Sequence, residues 1–155
     1  MEKLTVKDIV EECHITRQTF YYHFEDIPAL IQWVLDRSTE KMLKEIQQQD
    51  NVEDKLRYFF LTVLDAAPYI KKGMSGSYRD ELDRLITQNV YYFFEQAYEK
   101  ENLYSPYNRK QLRFILRYHT QAILGVLREW TEEDTKNLDE IVHLVSLLIK
   151  GDATP

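Results

Sequence analysis

The chain has little of what staples or punctuates irregular folds. It holds one cysteine, Cys13, which excludes an internal disulfide framework and a cysteine-rich zinc site and fits a reducing compartment. Four glycines and four prolines in 155 residues supply too few turns for a sandwich, a barrel or a flexible array. No stretch approaches the roughly 18 uninterrupted apolar residues of a membrane span. The segment after Met1 is charged and lacks the apolar centre of a secretory leader. A cytoplasmic location without membrane attachment is the expectation. An excess of positive charge is missing too. The net charge of −6 argues against a surface coated throughout by nucleic acid, yet a local reading head can coexist with it, because salt screens charges beyond about 8–10 Å.

What is there reads as long helices. Hydrophobic residues make up 44% of the chain, enough for a substantial core without metal. Thr5 and Asp8 have capping-box spacing ahead of a short helix over Val6 to Glu12, and Thr16 caps a second from Arg17 to His23. Ile9, Val10, Ile15, Phe20 and Phe24 are expected to pack these two together. Asp26 caps a long helix reaching about Gln48, with Pro28 tolerated in its first turn and apolar positions from Ile27 through Val34 to Ile46. A further helix is expected from Val52 to Ala67, ended by Pro68, and Gly73 to Ser77 is the most flexible connector by composition. Ser77 with Asp80 opens the next helix, and Ser105-Pro106 starts the one that runs to Arg128 and includes Val126 on its apolar side. Thr131 with Asp134 caps the last, with Leu138, Ile141, Val142, Val145, Leu148 and Ile149 on one stripe and Gly151 closing it.

Two short helices around a tight turn have the layout of a helix-turn-helix, whose second helix meets base edges in the major groove. The run Thr5-Val6 with Asp8-Ile9-Val10, then Ile15-Thr16-Arg17-Gln18-Thr19-Phe20-Tyr21-Tyr22-His23-Phe24, then Leu30, resembles the DNA-binding region of TetR-family transcriptional regulators. The resemblance is specific over residues 4 to 35 and looser beyond, where Tyr118 to Trp130 is similar to the family's penultimate helix. It implies an all-α fold: a DNA-binding region with its connecting long helix over 1–48, and a helical ligand-binding and dimerisation domain over 49–155. It also implies a homodimer paired through the last two helices, on double-stranded operator DNA with half-sites about 34–36 Å apart, under control of a small-molecule effector.

Carried over residue by residue, Thr5 and Thr16 are implied phosphate contacts at helix starts. Arg17, Gln18, Thr19 and Tyr22 are implied readers of base edges, arginine suiting guanine and glutamine adenine. Tyr21 and His23 are implied phosphate or sugar contacts. The alternative for the two tyrosines is packing on the following long helix, and for His23 an ordinary surface histidine. Tyr58, Tyr91, Tyr92, Tyr118, His119 and Trp130 are the aromatic residues expected to line an effector pocket, against the plainer reading that they fill the core.

Three departures stand out. The family carries a whole helix before the first element, whereas Met1 to Leu4 alone precede it here, so Ile9, Phe20, Ile31 and Leu35 are expected to lack cover and the head to be disordered. His14 stands where a glycine usually makes the turn, and Ile27 where a lysine commonly reaches a phosphate. Chemistry of another kind has one foothold: Glu11 with His14, and Glu140 with His143, have the Glu-x-x-His spacing of carboxylate-bridged di-metal bundles. The second pair lies off the apolar stripe and the first runs into a turn, so solvated side chains are the expectation. Nucleotide, zinc-hydrolase and nucleophile-elbow motifs are absent. Neither enzymatic activity nor a metal or cofactor is expected. A second class stays open: a helical interaction protein of the same fold that does not read DNA.

Overall fold

The computed structural model describes residues 3–102 and 106–151, and among them the chain forms eight helices and no strand. Helices α1 (Val6–Glu12), α2 (Arg17–His23) and α3 (Ile27–Ile46) start on Thr5, Thr16 and Asp26, each accepting a backbone N–H three residues on. After them come α4 (Val52–Met74), α5 (Arg79–Glu101), α6 (Arg109–Arg128), α7 (Glu132–Lys136) and α8 (Leu138–Lys150). Gly151 closes α8 in the left-handed region at φ 74°.

Several starts and stops differ from expectation. Pro68 does not end α4, which continues to Met74. A proline removes only one N–H, and this ring sits on an exposed face of a helix otherwise held by its packing. Gly73, expected in a flexible connector, is a packed residue of α4 itself: a Cβ there would come within 2.6 Å of Leu82 Cδ2. Helix α5 begins after Tyr78 and gains no side-chain cap, so Ser77 does not open it. Asn108 and Gln111 form a full capping box for α6, displacing the expected start at Pro106, while Ser105 lies outside the described residues. Thr131 and Asp134 do form their capping box, but it serves the short α7, and the chain breaks at Asn137 before α8.

Two apolar clusters organise the molecule. The smaller buries Val10, Phe20 and Ile27, with Val6, Ile9, Phe24, Leu30, Ile31 and Tyr78 packed around them. Ile15, expected in it, is exposed. The larger joins α3, α4, α5, α6 and α8 through residues such as Leu43, Phe59, Phe60, Phe94, Leu116 and Val142. At its centre the Phe59 ring lies 5.0 Å from Phe93 and 5.4 Å from Phe94, and Phe94 stacks on Tyr98 at 5.5 Å. Each fully buried aromatic contributes about 1.5–3 kcal/mol relative to exposure. Val34, Val126 and Leu148, assigned to core stripes from their spacing, are exposed.

Helix α3 belongs to both clusters, giving Ile27 to the first and Leu43 and Ile46 to the second. Between them Thr39 is buried and donates to Asn89 Oδ1 at 2.8 Å. Asn89 in turn donates to Asp36 and to the Leu85 carbonyl. This polar clasp fixes α3 along α5.

The turn between α1 and α2 carries backbone strain. His14 has φ 55°, which a Cβ-bearing residue adopts at a cost of about 1–2 kcal/mol. Replacing His14 with Gly is expected to stabilise the α1–α2 pair by about 0.5–1 kcal/mol after the glycine's extra unfolded-state entropy. Amide hydrogen exchange in α1 and α2 measures the gain, and unchanged or faster exchange would contradict it.

Candidate nucleic-acid interface

The geometry of α2 follows from burying one side of a seven-residue helix. Phe20 is 3% exposed and Tyr22, about 200° further round the helix, is 85% exposed. Arg17, Gln18, Tyr21 and Tyr22 are all exposed and lie at i, i+1, i+4 and i+5, a continuous strip on the side facing away from the small cluster. Neither tyrosine is covered by α3. Tyr21 leans edge-on against Phe20 at 5.3 Å, and Tyr22 meets the exposed His23 ring at 5.0 Å.

At the start of α2, Thr16 Oγ1 accepts the Thr19 N–H at 3.1 Å, and the two hydroxyl oxygens sit 2.9 Å apart. Only one proton is needed between them, so one hydroxyl proton of the pair points elsewhere. Thr5 is more fully engaged. Its N–H and its hydroxyl both donate to Asp8 Oδ2, at 2.8 and 2.5 Å. In this arrangement a carboxylate already takes the donors that sequence reasoning assigned to a phosphate. These hydrogen bonds, the hydroxyl's first and the backbone's second, hold the Asp8 carboxyl below its ordinary pKa.

Ile27 is buried in the small cluster, which explains why no long basic side chain can be offered from that position. From residue 3 to residue 24 the cations Lys3, Lys7 and Arg17 balance the anions Asp8, Glu11 and Glu12. On a nucleic acid such a head would gain little from counterion release. An open groove of about 520 Å³ runs beside the strip, lined by Lys3, Leu4, Lys7, Arg17, Tyr21, Glu25 and Tyr78 among others. Sequence reasoning did not single out Lys7, nor Trp33 and Arg37. On α3 the Arg37 guanidinium lies 5.0 Å from the exposed Trp33 ring, which itself meets Phe24 at 5.7 Å. The signal was an i, i+4 Trp–Arg pair on an outward helix face.

The six aromatic residues expected to line an effector pocket differ in exposure, and the rings of two of them, Tyr118 and His119, lie 5.6 Å apart. Tyr92 and Tyr118 are exposed, Trp130 lies against Phe60 at 5.4 Å and donates to Thr135, and Tyr58 and Tyr91 pack on the large cluster. His119 is half-buried beside Tyr98, and desolvation lowers its pKa. Helical rotation of about 100° per residue sends neighbours such as Tyr91 and Tyr92 to different faces. A cavity of about 640 Å³ instead opens between the end of α5 and the start of α6, lined by Glu95, Tyr98, Glu99, Asn102, Tyr107, Arg109, Leu112, Arg113 and Leu116. Among the described residues no three metal-ligating side chains come together. The two Glu-x-x-His pairs sit on separate elements, and His143 Nδ1 pairs with Glu53 at 2.7 Å rather than with a second motif. No helix of the described residues is long and apolar enough to cross a membrane.

Residues 1–32 match a sequence-family model described as bacterial regulatory proteins, tetR family, and residues 50–151 match one described as transcriptional regulator C-terminal region. The chain belongs to the TetR family of transcriptional regulators. Comparison with curated proteins and with solved structures gives no match. The all-α fold with a helix-turn-helix head is thus that of a TetR-family regulator, and α1 and α2 are its helix-turn-helix.

The Asp8 carboxyl is expected to make the head of this TetR-family chain acid-sensitive. A carboxyl whose pKa is depressed by folding stabilises the fold above its unfolded value, and that contribution is lost as pH falls through the folded value. Amide resonances of α1 are expected to lose dispersion as pH drops below about 4. The Asp8→Asn variant is expected to show the loosened α1 already at neutral pH, with no further acid transition at this site. A parent α1 indifferent to acid would contradict the assignment.

Proposed function

We propose that this TetR-family regulator binds a pseudo-palindromic operator as a homodimer and that a small molecule controls the binding. The exposed strip of α2 carries the reading, because four polar and aromatic side chains are held outward on one face by the burial of Phe20. In this reading Arg17 and Gln18 address guanine and adenine edges, Thr19 and Tyr22 lie against bases, and Thr16, Tyr21 and His23 address phosphate or sugar. Thr5 joins them only if Asp8 releases it. Two heads about 34–36 Å apart enter successive major grooves.

The partner surface is supplied by the outer faces of α6 and α8. Phe114, Tyr118, Ala122 and Val126 recur every four residues along α6, and Leu144 and Leu148 are exposed on α8. Tyr118 is 65% exposed and Leu148 61%, unusual for such large side chains on two helices whose other sides enter the core. Gly125 supports the same reading, since a Cβ there meets nothing within 4 Å inside the protomer. For the effector, the cavity between α5 and α6 offers suitable dimensions and four charged side chains.

Arg17→Ala and Tyr22→Ala are each expected to weaken binding to a selected operator about tenfold or more, with less effect on random duplex DNA. Fluorescence anisotropy over a salt series checks this. The balanced charge of the head favours one second reading, a helical interaction protein that has left DNA behind, and equal binding by parent and both variants would support it. Leu148→Glu is expected to convert dimer to monomer in sedimentation velocity with helicity unchanged, since it places a carboxylate in an apolar contact. A dimer that survives the change would exclude this face.

A further inference from the structure

Helix α5 starts in a way local rules do not favour. Six of the eight helices begin on Thr, Asp or Asn with the side chain accepting a backbone N–H, and α8 begins on Asn137 where α7 has just ended. Only α5, among the described helices, begins on a residue with no atom suited to capping: Tyr78, at φ −104° and ψ 22°, makes no side-chain cap bond. Ser77, one position earlier, has the right chemistry and is not used. A local rule broken without local gain points to a tertiary demand on the side chain.

That demand is met in the head. The Tyr78 ring is half-buried against the cluster of Val10, Phe20 and Ile27. Among the described residues every other side chain in that cluster comes from residues 6–31, so Tyr78 is what the C-terminal body contributes there to the head's core. The ring also lines the groove that holds Arg17 and Tyr21. Its backbone is firmly presented: Gly76 donates to the Gly73 carbonyl at 3.0 Å, Ser75 Oγ donates to the Lys72 carbonyl at 2.7 Å, and Gly73 admits Leu82 at a distance no Cβ would tolerate. Two turns beyond Leu82, Asn89 is clasped by Thr39 of α3.

We propose that Tyr78 is a positioning residue for the reading head, holding α1 and α2 in order from the body side. Two seven-residue helices around three buried residues are too small to be stable alone, so one additional aromatic moves the head's local opening equilibrium directly. A displacement of the α4–α5 junction therefore loosens the head without any change along α3. The role in DNA recognition rests on the reading of α2 given above; the role in ordering the head does not.

Tyr78→Ser tests this with opposite signs in two places. Serine at an N-cap improves the start of α5, whereas loss of the ring uncovers part of the Val10–Phe20–Ile27 cluster. In the full-length chain, hydrogen exchange by mass spectrometry is expected to speed up about tenfold or more in α1 and α2. Exchange in α6 and α8 stays at the parent rate, and operator affinity falls with the head's protection. Tyr78→Phe is expected to restore both. Unchanged head exchange in Tyr78→Ser would overturn the proposal, as would a parallel rise in α6 and α8, the mark of a general structural role. If the parent binds no duplex DNA, the reading of α2 fails while the exchange result still decides whether Tyr78 orders the head.

Discussion

One helix must satisfy two separate apolar clusters, and the rest of the molecule is arranged around that constraint. At about 1.5 Å per residue, the 20 residues of α3 span roughly 30 Å. Its first turn is sealed in the head by Ile27 and its last turns in the body by Leu43 and Ile46. Sliding or rotating α3 would expose apolar surface at both ends at once. The Thr39–Asn89–Asp36 clasp adds a directional restraint in between, because a buried hydroxyl that loses its acceptor is left with an unmet desolvation cost. The head's position is thereby tied to α5 through α3, and to the start of α5 through Tyr78.

The head itself is held by few terms. Three buried side chains, a capping box at Thr5 and Asp8 and a strained His14 leave it near the lower limit of what a helical pair can sustain. Ile9, Phe20, Ile31 and Leu35 were expected to lack cover and the head to be disordered. In the structure Phe20 is buried, and Ile9, Ile31 and Leu35 are half-buried, with Tyr78 among the residues packed around Phe20. Low local stability suits a reading element, since surfaces that reorganise on binding are drawn from the least stable parts of a fold. Weak net charge bears on the proposed DNA reading: with cations and anions balanced, that reading would lean on the geometry of α2 rather than on the phosphate field.

Much of this was legible in the residues. Caps at Thr5, Thr16, Asp26 and Thr131 were readable because capping depends on residues three apart, and the left-handed turn at His14 was visible as a missing glycine. Less legible were the features that depend on distant partners. Pro68 reads as a stop, yet α4 continues to Met74, and beyond the proline Gly73 packs closely against Leu82. Val34, Val126 and Leu148 have core spacing and are nonetheless exposed, because periodicity shows that a helix has an apolar side without showing how wide a sector its neighbours cover. The cavity residues Arg109, Arg113, Glu95 and Glu99 carried no pattern that marks a concave site.

By itself, then, the order of residues determined the helical class, the helix-turn-helix and its outward face, since these depend on spacings of three to five residues within one segment. Tertiary structure alone decided that Tyr78 reaches the head across some fifty residues and that Thr39 finds Asn89. Local propensity would have started α5 on Ser77. The ring of Tyr78 instead packs on the Val10–Phe20–Ile27 cluster, a contact that exists only once the two parts of the chain are side by side.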